Sequence, residues 1–144
     1  MEKNVANEVF LDAAYAIALS SSNDAFHQQA LAFAEHFEKS KTQLVTTRAV
    51  CLEIGNALAK QKYRQAAVKL LRAIEQDTLI QIVSLSEELY QNAFRLYQDR
   101  RDKEWGLTDC ISFVVMRERG ITDALTTDEH FDQSGFRALL RAHG

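Results

Sequence analysis

Four short β-prone runs, "EVFL", "TQLVTT", "LIQIVSL" and "DALTT", are spaced along the chain by segments long enough to be helices. That alternation constrains the fold more than any other feature. Antiparallel neighbours need only a tight turn, whereas parallel neighbours need a long crossover, usually a helix. The expectation is an α/β fold, a parallel sheet of four or five strands with helices on both faces. The chain contains no proline, so boundaries must come from glycine, polar clusters and changes of period. "EVFLDAAYAIAL" opens as a strand and breaks at Asp12. "SSND", Ser21 to Asp24, is expected to cap a helix over "AFHQQALAFAEHFEKS", where Ala30, Phe33, Ala34 and Phe37 share a face. Thr47 is placed to cap "RAVCLEIGNALAK", and Ser86 to cap "EELYQNAFRLYQ". "QAAVKLLRAIEQ" is a further amphipathic helix. A charged loop, "DRRDKEWG", then leads into a helix from Leu107 that is apolar on nearly every side and should be buried. "FRALL", near the end, is read as an edge strand.

The 144 residues suit a single domain over 1–144. No uninterrupted apolar run reaches the roughly 18 residues of a membrane span, and "MEKNVANEVF" lacks the apolar core of a signal peptide. A cytoplasmic protein without membrane contact is expected. The formal net charge of -3 argues against a general polyanion binder, while leaving local basic patches open. Cys51 and Cys110 each sit in an apolar helical run and are read as buried, reduced thiols, with a redox switch as the second reading.

In open α/β sheets, ligands bind beyond the carboxyl ends of the strands. Four acids are candidates for that rim. Asp12 ends the first strand, Glu53 lies in the helix after the second, Asp109 opens a later helix, and Asp128 follows the fourth strand. Each alone has an ordinary explanation: an Asx-turn, a solvated helix residue, a favourable charge at a helix N-terminus, a turn before "EHF". Glu53 fits its explanation least well. Its neighbours at helical spacing are Ala49, Val50, Asn56 and Ala57, of which only Asn56 is polar. Asp109 shares a face with Ser112, Phe113 and Met116. Clustered anions in such surroundings repel strongly, and a hard divalent cation such as Mg²⁺ or Mn²⁺ removes that difficulty.

Other chemistries lack their motifs. HExxH is absent and the cysteines lack zinc spacing. Neither G-x-x-x-x-G-K-[ST] nor G-x-S-x-G occurs. His27 and His36 fall on an amphipathic helix and His143 in the tail; His130 is the histidine nearest the acids, a weak candidate for contact with them.

The order Asp in "VFLDAAYAIAL", Glu in "TTRAVCLEIGNAL", Asp in "GLTDCISFVVMRERG" and Asp in "ALTTDEHF" resembles PIN domains, and specifically the VapC-type toxin ribonucleases of toxin–antitoxin pairs. The resemblance covers almost the whole chain, and the segment from "WGLTDCISF" through "TTDEHF" is its most specific part. It implies a PIN-like fold and Mg²⁺- or Mn²⁺-dependent cleavage of RNA. By position, Asp12, Glu53, Asp109 and Asp128 correspond to the family's acidic quartet, both catalytic and metal-binding. Thr126 matches the threonine of its T-x-D motif and would orient Asp128 or a metal-bound water. Asn56, Ser112 and Asp102 are candidates for a supporting shell, and Asp102 could instead bind Arg101 or Lys103. Arg48, Arg101 and Lys103 lead the candidates for binding RNA, among cations that are mostly just solvated. Trp105 is read as a packing residue. The resemblance further implies an antitoxin partner and a homodimer. An RNA-processing nuclease without an antitoxin, and a catalytically weak PIN-fold binding module, are the alternatives.

Overall fold

The structure, a computed structural model, describes residues 7–141. The elements run β1 (Glu8–Leu11), α1 (Ala13–Ser20), α2 (His27–Ser40), β2 (Gln43–Thr47), α3 (Arg48–Ala57), α4 (Gln61–Gln76), β3 (Ile80–Val83), α5 (Glu87–Asp99), α6 (Leu107–Arg119), β4 (Asp123–Leu125), α7 (Glu129–Gln133) and β5 (Arg137–Ala138). The strands form one five-stranded sheet in the order β3-β2-β1-β4-β5, with every pairing parallel. The "FRALL" run contributes its edge strand as expected.

This order fixes the helical layers. The chain steps outward from β1 through β2 to β3, then returns past β1 to β4. Right-handed crossovers place α1–α4 on one face and α5 and α6 on the other. The packing of α1 on α2, α3 on α4 and α5 along α6 agrees with this. Between them lies one core that includes Phe10, Val45, Ala124 and Leu125 of the strands and Cys110, Phe113 and Met116 of α6. The α6 helix is buried over most of its length, as its all-round apolar sequence requires. It ends at Gly120, whose positive φ of 69° suits glycine, with the backbone N–H bonded to Arg117 and Met116 carbonyls. Both thiols are free and buried. Burial, with Asp109 adding to it, pushes the Cys110 thiol up to about 11, which suits a packing role.

The first strand ends at Leu11 and breaks at Asp12 as expected, but the chain passes directly into a helix, α1, that the sequence did not announce. That helix buries Ala13, Tyr15, Ala16 and Ala18, so it lacks the polar face that makes a helix legible. "SSND" does not cap α2. Asp24 accepts a hydrogen bond from the Phe26 N–H at 2.8 Å, closing a turn upstream, and Phe26 stands at the cap position without a side-chain bond. The start of α2 is instead tied to α1 by His27, whose Nδ1 donates to the Ala18 carbonyl at 2.8 Å. His143 lies outside the described residues. Among those residues, no helix is long and apolar enough to cross a membrane.

Candidate active site

The strand order reverses between β1 and β4, and ligand sites of open α/β sheets lie at such switch points. Asp12 follows β1 directly. Its backbone N–H donates to the Leu125 carbonyl at 3.2 Å, which locks the two strand ends together. Three threonines at this rim are fully buried, and each has a partner. Thr46 Oγ1 donates to the Leu11 carbonyl at 2.7 Å. Thr47 accepts from the Val50 N–H at 3.1 Å and so caps α3. Thr126 Oγ1 donates to Asp12 Oδ2 at 2.7 Å and accepts from the Asp128 N–H at 3.1 Å. One hydroxyl therefore orients the Asp12 carboxylate and fixes the backbone of Asp128. The resemblance implied that Thr126 orients Asp128 or a metal-bound water; its hydroxyl holds the Asp128 backbone and, in addition, the Asp12 carboxylate.

Asp109 sits in the first turn of α6. Its Oδ2 accepts from the Gly106 N–H at 3.1 Å and from His130 Nδ1 at 3.0 Å. A carboxylate can only accept, so the imidazole donates through Nδ1. Asp128 stands at the N-cap of α7 and accepts the His130 N–H on Oδ1 at 2.9 Å. The same Oδ1 lies 3.4 Å from His130 Nδ1. His130 thus bridges two of the four acids, a tighter contact than its sequence position suggested. The available signal was its spacing, two residues after Asp128 at a helix start, which turns the ring back over the cap.

The electrostatics bind the four acids into one site. Asp12 is 7% exposed, and its carboxyl is pushed up to about 6. Burial leads, the bonds from Thr126 and the Ala13 N–H pull the other way, and the charges of Asp109 and Asp128 add to the rise. Asp109 is also raised, by burial first, against the bonds from His130 and Gly106. Glu53 lies on the exposed side of α3 with Asn56 and Ala57, not in the apolar surroundings that its spacing implied. Even so, partial enclosure at the rim, followed by the charges of Asp12, Asp109 and Asp128, pushes its carboxyl up to about 7. Groups kept from ionising by burial, and further by neighbouring anions, are what a cation would relieve. Among the described residues, Asp109, Asp128 and His130 offer ligand atoms within 4.8 Å of one another. Asp12 and Glu53 are outside that close group but feel its charge.

The remaining candidates fall elsewhere. Ser112 Oγ donates back to the Thr108 carbonyl at 3.2 Å rather than to an acid. Asp102 is held by Arg100, not by Arg101 or Lys103, through two bonds of 3.0 Å, and this pair lowers its carboxyl to about 2. It is not a supporting acid of the cluster. Arg48 is ion-paired with Glu75, so its charge is already engaged. Trp105 packs edge-on against Phe113, with ring centroids 5.0 Å apart, and donates from Nε1 to Gln133 at 3.0 Å; it is a packing residue as expected.

The family model of the PIN domain matches residues 9–136. Over 128 residues the chain is 27% identical to the 23S rRNA-specific endonuclease VapC20 of Mycobacterium tuberculosis, in strains CDC 1551 / Oshkosh and ATCC 25618 / H37Rv. The match spans 89% of this chain and 95% of each relative. The crystal structure of Mycobacterium tuberculosis VapC20, described as a sarcin-ricin loop cleaving toxin, matches with a TM-score of 0.77 at 27% identity over 89% of this chain and 95% of that one. With the five-stranded parallel sheet and the acids at its switch point, this chain belongs to the PIN domain family.

Proposed function

We propose that the chain is a metal-dependent endoribonuclease, the toxin of a VapBC-type pair. The observation that carries this reading is the convergence of the acids at the sheet's switch point, where Thr126 joins Asp12 to the Asp128 backbone and His130 joins Asp109 to Asp128. The donor set fits a hard cation: Asp12, Asp109 and Asp128 are the proposed ligands of Mg²⁺ or Mn²⁺, with Glu53 binding directly or through water. When bound, such an ion supplies Lewis-acid charge for hydrolysis of a phosphodiester. The chain's own groups hold the ligands still. Thr126 sets the rotation of Asp12, and His130 with the Gly106 N–H sets that of Asp109. The two Mycobacterium tuberculosis relatives are named for 23S rRNA, so ribosomal RNA is the first substrate to test.

A toxic nuclease needs an inhibitor. The proposed antitoxin site is an apolar groove lined by Leu11, Tyr15, Leu19, Phe37, Leu70 and Ile74. Its walls come from α1, α2 and α4. Phe33, Leu58 and Leu71 do not line it and pack against the core, as Phe37 also does. Leu11, the residue before Asp12, is among its lining residues. An apolar helix laid there could extend a basic side chain toward the acids. A homodimer in the cytoplasm completes the reading. Expression with and without the neighbouring antitoxin gene tests it. Growth arrest and RNA loss should appear only without that gene and vanish with Asp109→Asn. Arrest that persists with Asp109→Asn would sink the nuclease reading, and arrest unaffected by the neighbouring gene would remove the antitoxin.

A further inference from the structure

The α5 helix packs on α6 through Leu89 and Ala93, which are buried. The flank of α5 beside that seam carries a row of aromatics. Tyr90 and Phe94 have ring centroids 6.3 Å apart, and Phe94 and Tyr97 6.4 Å. Phe94 is 40% exposed and Tyr97 48%. A solvated helix face does not need large rings, and their adjacency marks a contact surface. Phe94 and Tyr97 form one wall of an open groove that continues along Arg101, Lys103, Trp105 and Gly106. Gly106 is the residue whose N–H holds Asp109, so the groove runs up to the acid cluster.

Its charge favours a polyanion, against the chain's net charge of -3. Arg100 is held by Asp102 and lies over the Trp105 ring, 5.0 Å from its centroid, so it acts as wall. Among the described residues, Arg101 and Lys103 make no ion pair. Glu104 is the groove's acid. Unpaired cations beside open aromatic faces suit single-stranded nucleic acid, whose bases stack and whose phosphates seek the charge. A duplex hides its base faces, and an apolar peptide would not use the cations.

We propose that this groove holds an unpaired stretch of the RNA next to the scissile phosphate, with bases stacked on Tyr97 and Phe94 and phosphates drawn to Arg101 and Lys103. It rests on the ribonuclease reading for its ligand. Stacking is tolerant of base identity, so the groove favours unpaired over paired RNA and discriminates little by sequence.

Binding can be separated from cleavage. Fluorescence anisotropy with a labelled single-stranded RNA decamer would be run on the Asp109→Asn protein, alone and combined with further changes. Tyr97→Ala and Phe94→Ala should each weaken binding about tenfold, while Tyr97→Trp keeps it. Removing Arg101 or Lys103 should reduce the salt slope of log K by about 0.7 each. Tyr63→Ala, an exposed tyrosine on α4, should change nothing. A 2-aminopurine base in the RNA should lose fluorescence on binding unless Tyr97 is Ala. Undiminished binding and quenching in Tyr97→Ala would overturn the groove. A shift of Tyr97→Ala to a smaller species on gel filtration, with RNA binding unchanged, would instead assign the face to a second copy of the chain and equally overturn it. Binding through Tyr97 by a protein whose Asp109-containing form cleaves no RNA would support the groove while defeating the nuclease reading.

Discussion

Thr126 is the residue on which the site turns. It is fully buried, and its hydroxyl is bonded on both sides, to the Asp12 carboxylate and the Asp128 N–H. Replacing it with valine leaves the part-buried Asp128 N–H without this partner and frees Asp12 to rotate. The expected cost is about 1–3 kcal/mol in stability by denaturant unfolding and roughly 10–100-fold in cleavage rate. Asp12 supplies a second prediction. Its carboxyl is pushed up to about 6 from an ordinary value of 3.8, and that of Glu53 to about 7 from 4.5. The native state therefore holds these protons more tightly than the unfolded chain. Their stabilising contribution is complete below about pH 4 and is lost as pH rises through 6 to 7. Without metal, the melting temperature of the parent should fall relative to Asp12→Asn across that window. Saturating Mg²⁺ should close the gap by favouring the ionised forms. A difference that does not vary with pH would mean that Asp12 is not perturbed. All four acids were visible in the sequence by their order. Their supports were less so, because Thr126 acts on Asp12 across 114 positions and no spacing rule reports such a pair.

At the scale of elements, caps and burial decide where the acids point. Thr47 ends β2 and caps α3, the helix that carries Glu53. Thr47→Ala should cost about 1 kcal/mol by denaturant unfolding, and a loosened first turn should weaken metal binding by titration calorimetry. An unchanged affinity would show that Glu53 is not placed by its helix start. Thr47 and Ser86 were legible as caps because each precedes a clear helical pattern; both hold as expected. Helix α1 was not legible because its sequence, "AAYAIALS", has no polar stripe from which to infer a period. "SSND" misled for a related reason. Asp24 serves turns and caps equally well, and only the tertiary tie from His27 to α1 selects the turn.

Across the whole molecule, the fold brings like charges together, and among the described residues no lysine or arginine is ion-paired with them. Arg48, Arg100 and Arg119 are engaged with Glu75, Asp102 and Glu8, away from the cluster. The molecule therefore carries local strain that a cation relieves. Asp109→Asn keeps an oxygen to accept the Gly106 N–H while removing one charge, so the metal-free variant should melt at or above the parent at pH 7.5. Melting well below the parent would make Asp109 a structural residue. The parallel order of the sheet was readable from the alternation of runs, whereas which helix walls the apolar groove depended on α1 and was not. The most direct test is cleavage of ribosomal RNA by the purified protein over a series of Mg²⁺ and Mn²⁺ concentrations, beside Asp109→Asn. Cleavage should rise with metal, stop with EDTA, and be absent from the folded variant at every concentration. Cleavage that survives EDTA, or a folded Asp109→Asn protein that cuts as fast as the parent, would contradict an acidic metal centre as the source of the activity.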